Sequence, residues 1–319
     1  MRVLVTGASG FLARSLINML LSQGLHDVIG SVRSSKSYVT SEIEIFVTGE
    51  INGDTAWDRV LEGVDVIIHT AARAHVIKDD VVDPASAFYE VNVSGTIALA
   101  AAAIRNNVKR FIFVSSIGVN GSSTSEDEAF SEVSIPNPMA LYAISKYEAE
   151  QQLSQLVENS MMQLVIVRPP LVYAEDAPGN FGRLLKIVST SFPLPFALVK
   201  NRKSFIYREN LSDFLCKCVD HPAAGGELFL VSDAEDVSTP ELLTVLSRAM
   251  NKKLYLIPVP MWLMKGVTTL LGKTSIYEQL CDSLVIDSTK ARTLLNWNPP
   301  FKVRDALRLT GEAFTNEKL

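Results

Sequence analysis

Apolar residues in the first half of the chain fall into short unbroken runs. Between the runs they recur every three or four positions. Val3-Leu4-Val5, Asp27–Val32, Glu44–Val47, Val64–Ile68, Phe111–Val114 and Leu164–Val167 read as strands. Phe11–Gln23 places Leu12, Leu16, Met19 and Leu20 on one helical face. Ala85–Asn106 is a long alanine-rich helix, and Leu141–Val157 is helical too. Strands that are apolar throughout, alternating with helices, predict a parallel sheet covered on both faces. The fold class is α/β and doubly wound, with ligands at the carboxyl ends of the strands.

Proline divides the chain: of 14, only Pro84 precedes residue 135. Residues 1–169 are expected to form the sheet. Residues 170–319 mainly form a smaller α/β unit, with some later segments returning to the sheet. Charge refines this picture. Against 35 Asp and Glu stand 30 Lys and Arg, a net charge of −5, which argues against a nucleic-acid partner. Cys216, Cys218 and Cys281 form no CxxC pair, so neither a disulfide scaffold nor a zinc site is expected, and no His/Cys/acid cluster suggests any metal. The segment 257–271 is short, holds two prolines near its start and contains Lys265, which suits a buried or amphipathic helix better than a membrane anchor. The run Val3–Val5 is too short for a signal peptide. A cytoplasmic protein without a membrane partner is the resulting expectation.

The first strand runs into Thr6-Gly7-Ala8-Ser9-Gly10-Phe11-Leu12-Ala13, where a helix starts. Gly7 suits a tight turn, Gly10 a close backbone approach to a pyrophosphate, and Ala13 tight helix–strand packing. The anion would rest on the helix N-terminus, although a purely structural turn is an alternative. At the end of the second strand, Gly30-Ser31-Val32-Arg33-Ser34-Ser35-Lys36 has no carboxylate to hold a ribose 2′-hydroxyl. Arg33 beside serines suits a 2′-phosphate, with a solvated basic turn as the other reading. NADP(H) is favoured and NAD is possible.

Tyr142 and Lys146 are four residues apart in a helical stretch and share a face. A tyrosine working as acid and base near neutral pH must fall about three units below ~10, about 4 kcal/mol of differential stabilisation. A neighbouring ammonium and a cationic nicotinamide can supply it.

With these features the sequence resembles the extended short-chain dehydrogenase/reductase family of sugar-nucleotide epimerases, dehydratases and reductases, on a Rossmann-type sheet. The resemblance rests on Thr6–Ala13, His69-Thr70-Ala71-Ala72, Val91–Thr96, Phe113–Ser116, Tyr142–Lys146, Arg168-Pro169-Pro170 and Asp287–Ala291. It implies Tyr142 as proton donor and acceptor, Lys146 as the residue that holds the ribose and lowers the pKa of Tyr142, and Ser116 as the hydroxyl on the sugar. It further implies cofactor contacts from Gly7, Ser9, Gly10, Phe11, Leu12, Arg33, Ser115 and Pro169. Glu50 and Ile51 look like an adenine-binding pair, with Ala71, Ala72 and Arg73 lining the cofactor. Asn92, His69 and His75 are read as structural.

Departures from the family pattern select the reaction. A dehydratase would carry Asp-Glu where Ile117 and Gly118 stand, and neither of these can move a proton. Many 4-epimerases have an Asn where Pro169-Pro170-Leu171 stands. The likeness is greatest to bacterial surface-polysaccharide enzymes, a group of UDP-4-keto-6-deoxy-N-acetylhexosamine 4-reductases and UDP-sugar 4-epimerases. Arg33 tilts the expectation toward an NADPH-dependent 4-keto reductase. A UDP-hexose 4-epimerase is the alternative and a non-catalytic NADP-binding scaffold a remote one. On the substrate half, Asn180 resembles a diphosphate contact or else an ordinary helix N-cap. Arg202 or Lys203 resembles a diphosphate clamp or else a solvated loop. The family resemblance also favours a homodimer.

Overall fold

A computed structural model of the protein describes residues 1–37, 39–74, 83–272 and 274–316. Seven strands form one parallel sheet in the order β3-β2-β1-β4-β5-β6-β9. They are β1 (Arg2–Thr6), β2 (Asp27–Val32), β3 (Glu44–Val47), β4 (Val66–His69), β5 (Arg110–Val114), β6 (Gln163–Arg168) and β9 (Leu228–Leu230). The remaining strands, β7 (Leu171–Tyr173) and β8 (Phe205–Tyr207), pair with each other in parallel.

Neighbouring side chains explain the unbroken apolar runs. Val3 and Val5 of β1 enter one core, and Leu4 between them enters another on the opposite face. The first core is closed by Leu16 and Leu20 of α1 (Phe11–Gln23) and by Leu211, Phe214 and Leu215 of a later helix. The second is closed by Leu99 and Ala103 of one helix and by Ala149 and Leu153 of another. A sheet buried on both sides needs no polar alternation, which is the doubly wound arrangement expected.

The expected helix 85–106 is subdivided. It consists of α2 (Pro84–Tyr89), a π-helical turn over Glu90–Ser94 and α3 (Gly95–Arg105). Asp83 caps α2 by accepting from the Ser86 N–H. By length and composition alone Pro84–Arg105 could cross a bilayer. Here, however, Leu99, Ala100, Ala102 and Ala103 are buried in the second core. Helix α4 (Leu141–Val157) has the predicted bounds.

The later part of the chain contributes α5 (Gly179–Ser189), α6 (Arg208–Asp220), α7 (Thr239–Ala249), α8 (Met261–Leu270), α9 (Thr274–Cys281), α10 (Thr289–Leu295) and α11 (Val303–Asn316). Helix α6 supplies Leu211, Phe214 and Leu215 to the first core, so this helix and β9 belong to the sheet layer. Tyr173, Phe181, Leu185, Leu243, Leu246 and Leu307 build a third core away from the sheet.

Candidate active site

Past the end of β1 the chain must turn sharply, and Gly7 does so at φ +67°. A Cβ at Gly7 would lie 3.0 Å from the Ala71 Cα, so the position is restricted in space as well as in conformation. The Gly10 N–H donates to the Gly7 carbonyl at 2.7 Å, and Gly10 caps α1 without a side-chain bond or any acid in the first turn. The free N–H groups of that turn are a suitable seat for an anion.

Beside this turn is a cavity of about 430 Å³. Gly7, Ser9, Gly10, Arg33, Glu50, Ile51, Ala71, Ala72 and Arg73 line it, nine residues that sequence reasoning selected. Ser31, Thr48, Gly49, Thr70 and Val91 also line it; Ser31, Thr70 and Val91 fall within quoted motifs but were given no contact, and no spacing marks Thr48 or Gly49. Phe11 and Leu12 are not in the lining. The Phe11 ring lies under the Arg208 guanidinium at 5.0 Å, and Leu12 packs on the first core. Their place at the start of α1 limits them to main-chain contact with an anion. Among the described residues the buried Ser31 and Ser115 hydroxyl oxygens have no partner. Partnerless buried hydroxyls, a glycine-lined turn and a slot between the ends of β1, β2 and β4 fit an adenine dinucleotide.

Tyr142 and Lys146 lie one turn apart on α4. Lys146 is buried, its Nζ donating to the Val114 carbonyl at 2.8 Å and sitting 4.5 Å from the Phe113 ring centroid. Its Nζ is 5.9 Å from the Tyr142 ring centroid, and Phe88 meets that ring edge-on. Burial pushes Lys146 down to about 7, partly opposed by Glu150, and pushes the Tyr142 hydroxyl up to about 12. That direction belongs to the protein without a ligand; the expected lowering draws on Lys146 together with a cationic nicotinamide.

Ser116, in extended conformation, heads the short 3₁₀ turn Ile117–Val119 and accepts from the Gly118 N–H at 3.1 Å, leaving its own hydrogen to donate. The Ser115 N–H donates to the Val167 carbonyl at 2.7 Å, and the Ile117 N–H to the Pro169 carbonyl at 2.9 Å. Those bonds fix the Ser115–Ile117 backbone against the end of β6. A Cβ on Gly118 would sit 3.2 Å from the Ala143 Cβ, so a bulkier residue there would displace α4.

Three buried polar groups hold this arrangement. Arg168 on β6 pairs with Glu150 on α4, both side chains 4% exposed, and also donates to Asn120 Oδ1 at 2.9 Å. Asn92, in the π-turn, accepts from the Arg73 N–H at 2.8 Å and donates to the Arg73 carbonyl and to Ser145 Oγ. It joins the loop after β4 to α4, as its structural reading anticipated. His69 lies between Thr6 Oγ1 at 2.7 Å and Thr96 Oγ1 at 2.9 Å. Since Thr96 donates to the Asn92 carbonyl, it accepts from His69 Nε2–H, and Thr6 donates to Nδ1. Burial drives His69 down to about 3, so it is a neutral structural group. His75 lies outside the described residues.

In the substrate half, Pro178 and not Asn180 caps α5. The Asn180 amide donates to Gln279 Oε1 on α9, and its oxygen accepts from Arg183 at 3.4 Å. Arg202 is exposed and ion-paired with Asp236 at 2.9 Å. Burial lowers the pKa of Lys203, whose Nζ lies 3.5 Å from the Glu278 carbonyl. A network that sequence reasoning missed ties Arg208 to Glu175, Asp176 and Glu209, with Arg14 of α1 also on Asp176.

Comparison with known proteins agrees with this geometry. The model of the NAD dependent epimerase/dehydratase family matches residues 3–231. A UDP-glucose 4-epimerase of Vibrio cholerae is 38% identical over 98% of this chain and 95% of its own length. An Escherichia coli O157:H7 N-acetyl-alpha-D-glucosaminyl-diphospho-ditrans,octacis-undecaprenol 4-epimerase is 28% identical, over 91% and 88%. Among solved structures, a Thermotoga maritima UDP-glucose 4-epimerase with UDP-glucose superposes with a TM-score of 0.81 at 20% identity over all of both chains. The Bacillus cereus UDP-glucuronic acid 4-epimerase in complex with NAD gives 0.79 at 21% over 99% of each. With its glycine turn, its Tyr–Lys pair on α4 and a family match over most of its length, the chain belongs to the NAD dependent epimerase/dehydratase family, enzymes of the short-chain dehydrogenase/reductase type.

Proposed function

We propose that the protein is a 4-epimerase of a hexose carried on a diphosphate, with a UDP-sugar as substrate. One observation carries the reading: Ile117 and Gly118 after Ser116 offer no second acid or base for eliminating water. Tyr142, Lys146 and Ser116 are assigned to proton transfer at a single oxygen. That set suits oxidation and reduction at one carbon. The V. cholerae and E. coli relatives, both named as 4-epimerases, support C4 and support the epimerase over the reductase favoured by the Arg33 turn.

A nicotinamide held beside the Gly7–Gly10 turn would supply the hydride acceptor and donor. Tyr142 Oη takes the proton of the C4 hydroxyl and returns it to the same oxygen once the configuration at C4 is inverted. Ser116 Oγ donates to the same oxygen, and the charge of Lys146 favours the phenolate. Asn180 and Lys203 are assigned to the diphosphate, and Arg202 would join them only by releasing Asp236.

A second reading, the 4-keto reductase, rests on the placement of Arg33 in the cavity lining, at the end of a strand without a carboxylate. Mixing the purified protein with a UDP-hexose and no added reductant distinguishes them. Appearance of the C4 epimer supports the epimerase. No epimer, with stoichiometric loss of NADPH on adding a UDP-4-keto-6-deoxy sugar, would assign the reductase.

A further inference from the structure

Two stretches of the substrate half are basic and free of acid. Residues 177–208 hold Arg183, Lys186, Lys200, Arg202, Lys203 and Arg208 without an Asp or Glu. Residues 242–277 hold Arg248, Lys252, Lys253, Lys265 and Lys273, also without one, in a chain whose net charge is −5. The stretches lie side by side: the Leu194 N–H donates to the Tyr255 carbonyl and the Ile257 N–H to the Leu194 carbonyl, both at 2.8 Å.

Together they also present several exposed large apolar side chains, among them Phe192, Leu198, Tyr255, Trp262, Val267 and Leu270. Trp262 is 75% exposed and Leu270 is 87% exposed. Helix α8 buries only Met264, so packing within the protein does not account for its composition. Among the described residues Lys186, Lys200, Lys252, Lys253 and Lys265 form no ion pair. With ten residues, α8 is too short to span the ~20 that a membrane requires. Exposed aromatic and leucine side chains on segments that also carry unpaired lysines are instead the chemistry of a segment lying in a bilayer interface.

We propose that this face, α8 together with the 192–200 and 252–257 segments, docks the protein on an anionic phospholipid surface. Charge decides between occupants. A two-fold contact with a second copy would bring the same lysines against themselves, whereas lipid phosphates neutralise them. The expectation of no membrane partner is thereby revised to a peripheral one. None of the reaction chemistry enters this inference.

The test is sedimentation of the full chain with vesicles of phosphatidylcholine alone or mixed equally with phosphatidylglycerol. The mixed vesicles should carry the protein down and high salt should release it. Trp262 emission should shift to the blue, because Trp57 and Trp297 are already buried at 1% and 3%. Replacing Lys252 and Lys253 by Gln should weaken binding about fivefold for each charge. Trp262→Ser with Leu270→Ser should abolish it, with melting temperature and turnover of a soluble substrate unchanged. Equal binding to both vesicles, no binding to either, or a dimer that Trp262→Ser dissociates would each overturn the proposal.

Discussion

The Lys146 ammonium donates to the Val114 main-chain carbonyl at 2.8 Å, joining the middle of α4 to the last residue of β5. Two residues beyond Val114 stands Ser116, and one turn before Lys146 stands Tyr142. This one bond therefore ties the position of Tyr142 to that of Ser116. It also explains how a lysine tolerates burial: the carbonyl and the Phe113 ring face replace water.

Tyr142→Phe should lower turnover roughly 100- to 10,000-fold. The Tyr142 hydroxyl makes no hydrogen bond among the described residues, so the melting temperature should stay within ordinary surface-substitution limits. Steady-state rates alongside thermal unfolding check both, and a variant with full activity would remove Tyr142 from the chemistry.

Gly7→Ala should cost about 1–3 kcal/mol through its left-handed backbone, with a further loss from the Ala71 contact at 3.0 Å. Cofactor affinity should fall with it, because the displaced turn sets the start of α1. Calorimetric unfolding and nicotinamide titration of the same variant would show both losses, and an unchanged melting temperature would contradict the strain argument.

Glu150→Gln should destabilise the fold by about 3–5 kcal/mol, since it leaves the Arg168 guanidinium buried without its counter-charge. A double replacement, Glu150→Leu with Arg168→Met, should recover much of the loss, as measured by denaturant midpoints. If the double variant is less stable than the single one by as much again, the pair contributes more than mutual neutralisation.

His69 predicts a pH dependence. Its folded value, near 3, lies below the ordinary 6.5, so between these values the unfolded chain binds a proton that the folded chain refuses. The stability it confers is complete above 6.5 and is lost as pH falls toward 3. Melting temperature should therefore drop on acidification from about pH 7 to about pH 5, where carboxylates remain ionised. His69→Gln should flatten that slope while starting lower. Equal slopes would mean that His69 does not titrate with unfolding.

The sheet was legible because burial on two faces turns strands into unbroken apolar runs, and α1, α4, β2 and β3 matched the expected bounds. The Tyr142–Lys146 pair was legible because helical spacing is rigid. The split in the 85–106 helix was not, since a π-turn is set by the tertiary fit of Asn92 against Arg73 and Ser145. Nor was the Arg208 network, whose acids lie 33 and 32 residues upstream as well as next door. The upward shift of the Tyr142 pKa in the protein alone was not legible, because burial has no signature in a four-residue spacing.

The reaction itself is tested most directly by incubating the protein with a UDP-hexose in deuterium oxide and following C4 by proton magnetic resonance. Transfer of the C4 hydrogen as hydride predicts an epimeric product that keeps protium at C4. Deuterium at C4 of the product would mean proton abstraction through solvent and would contradict the account.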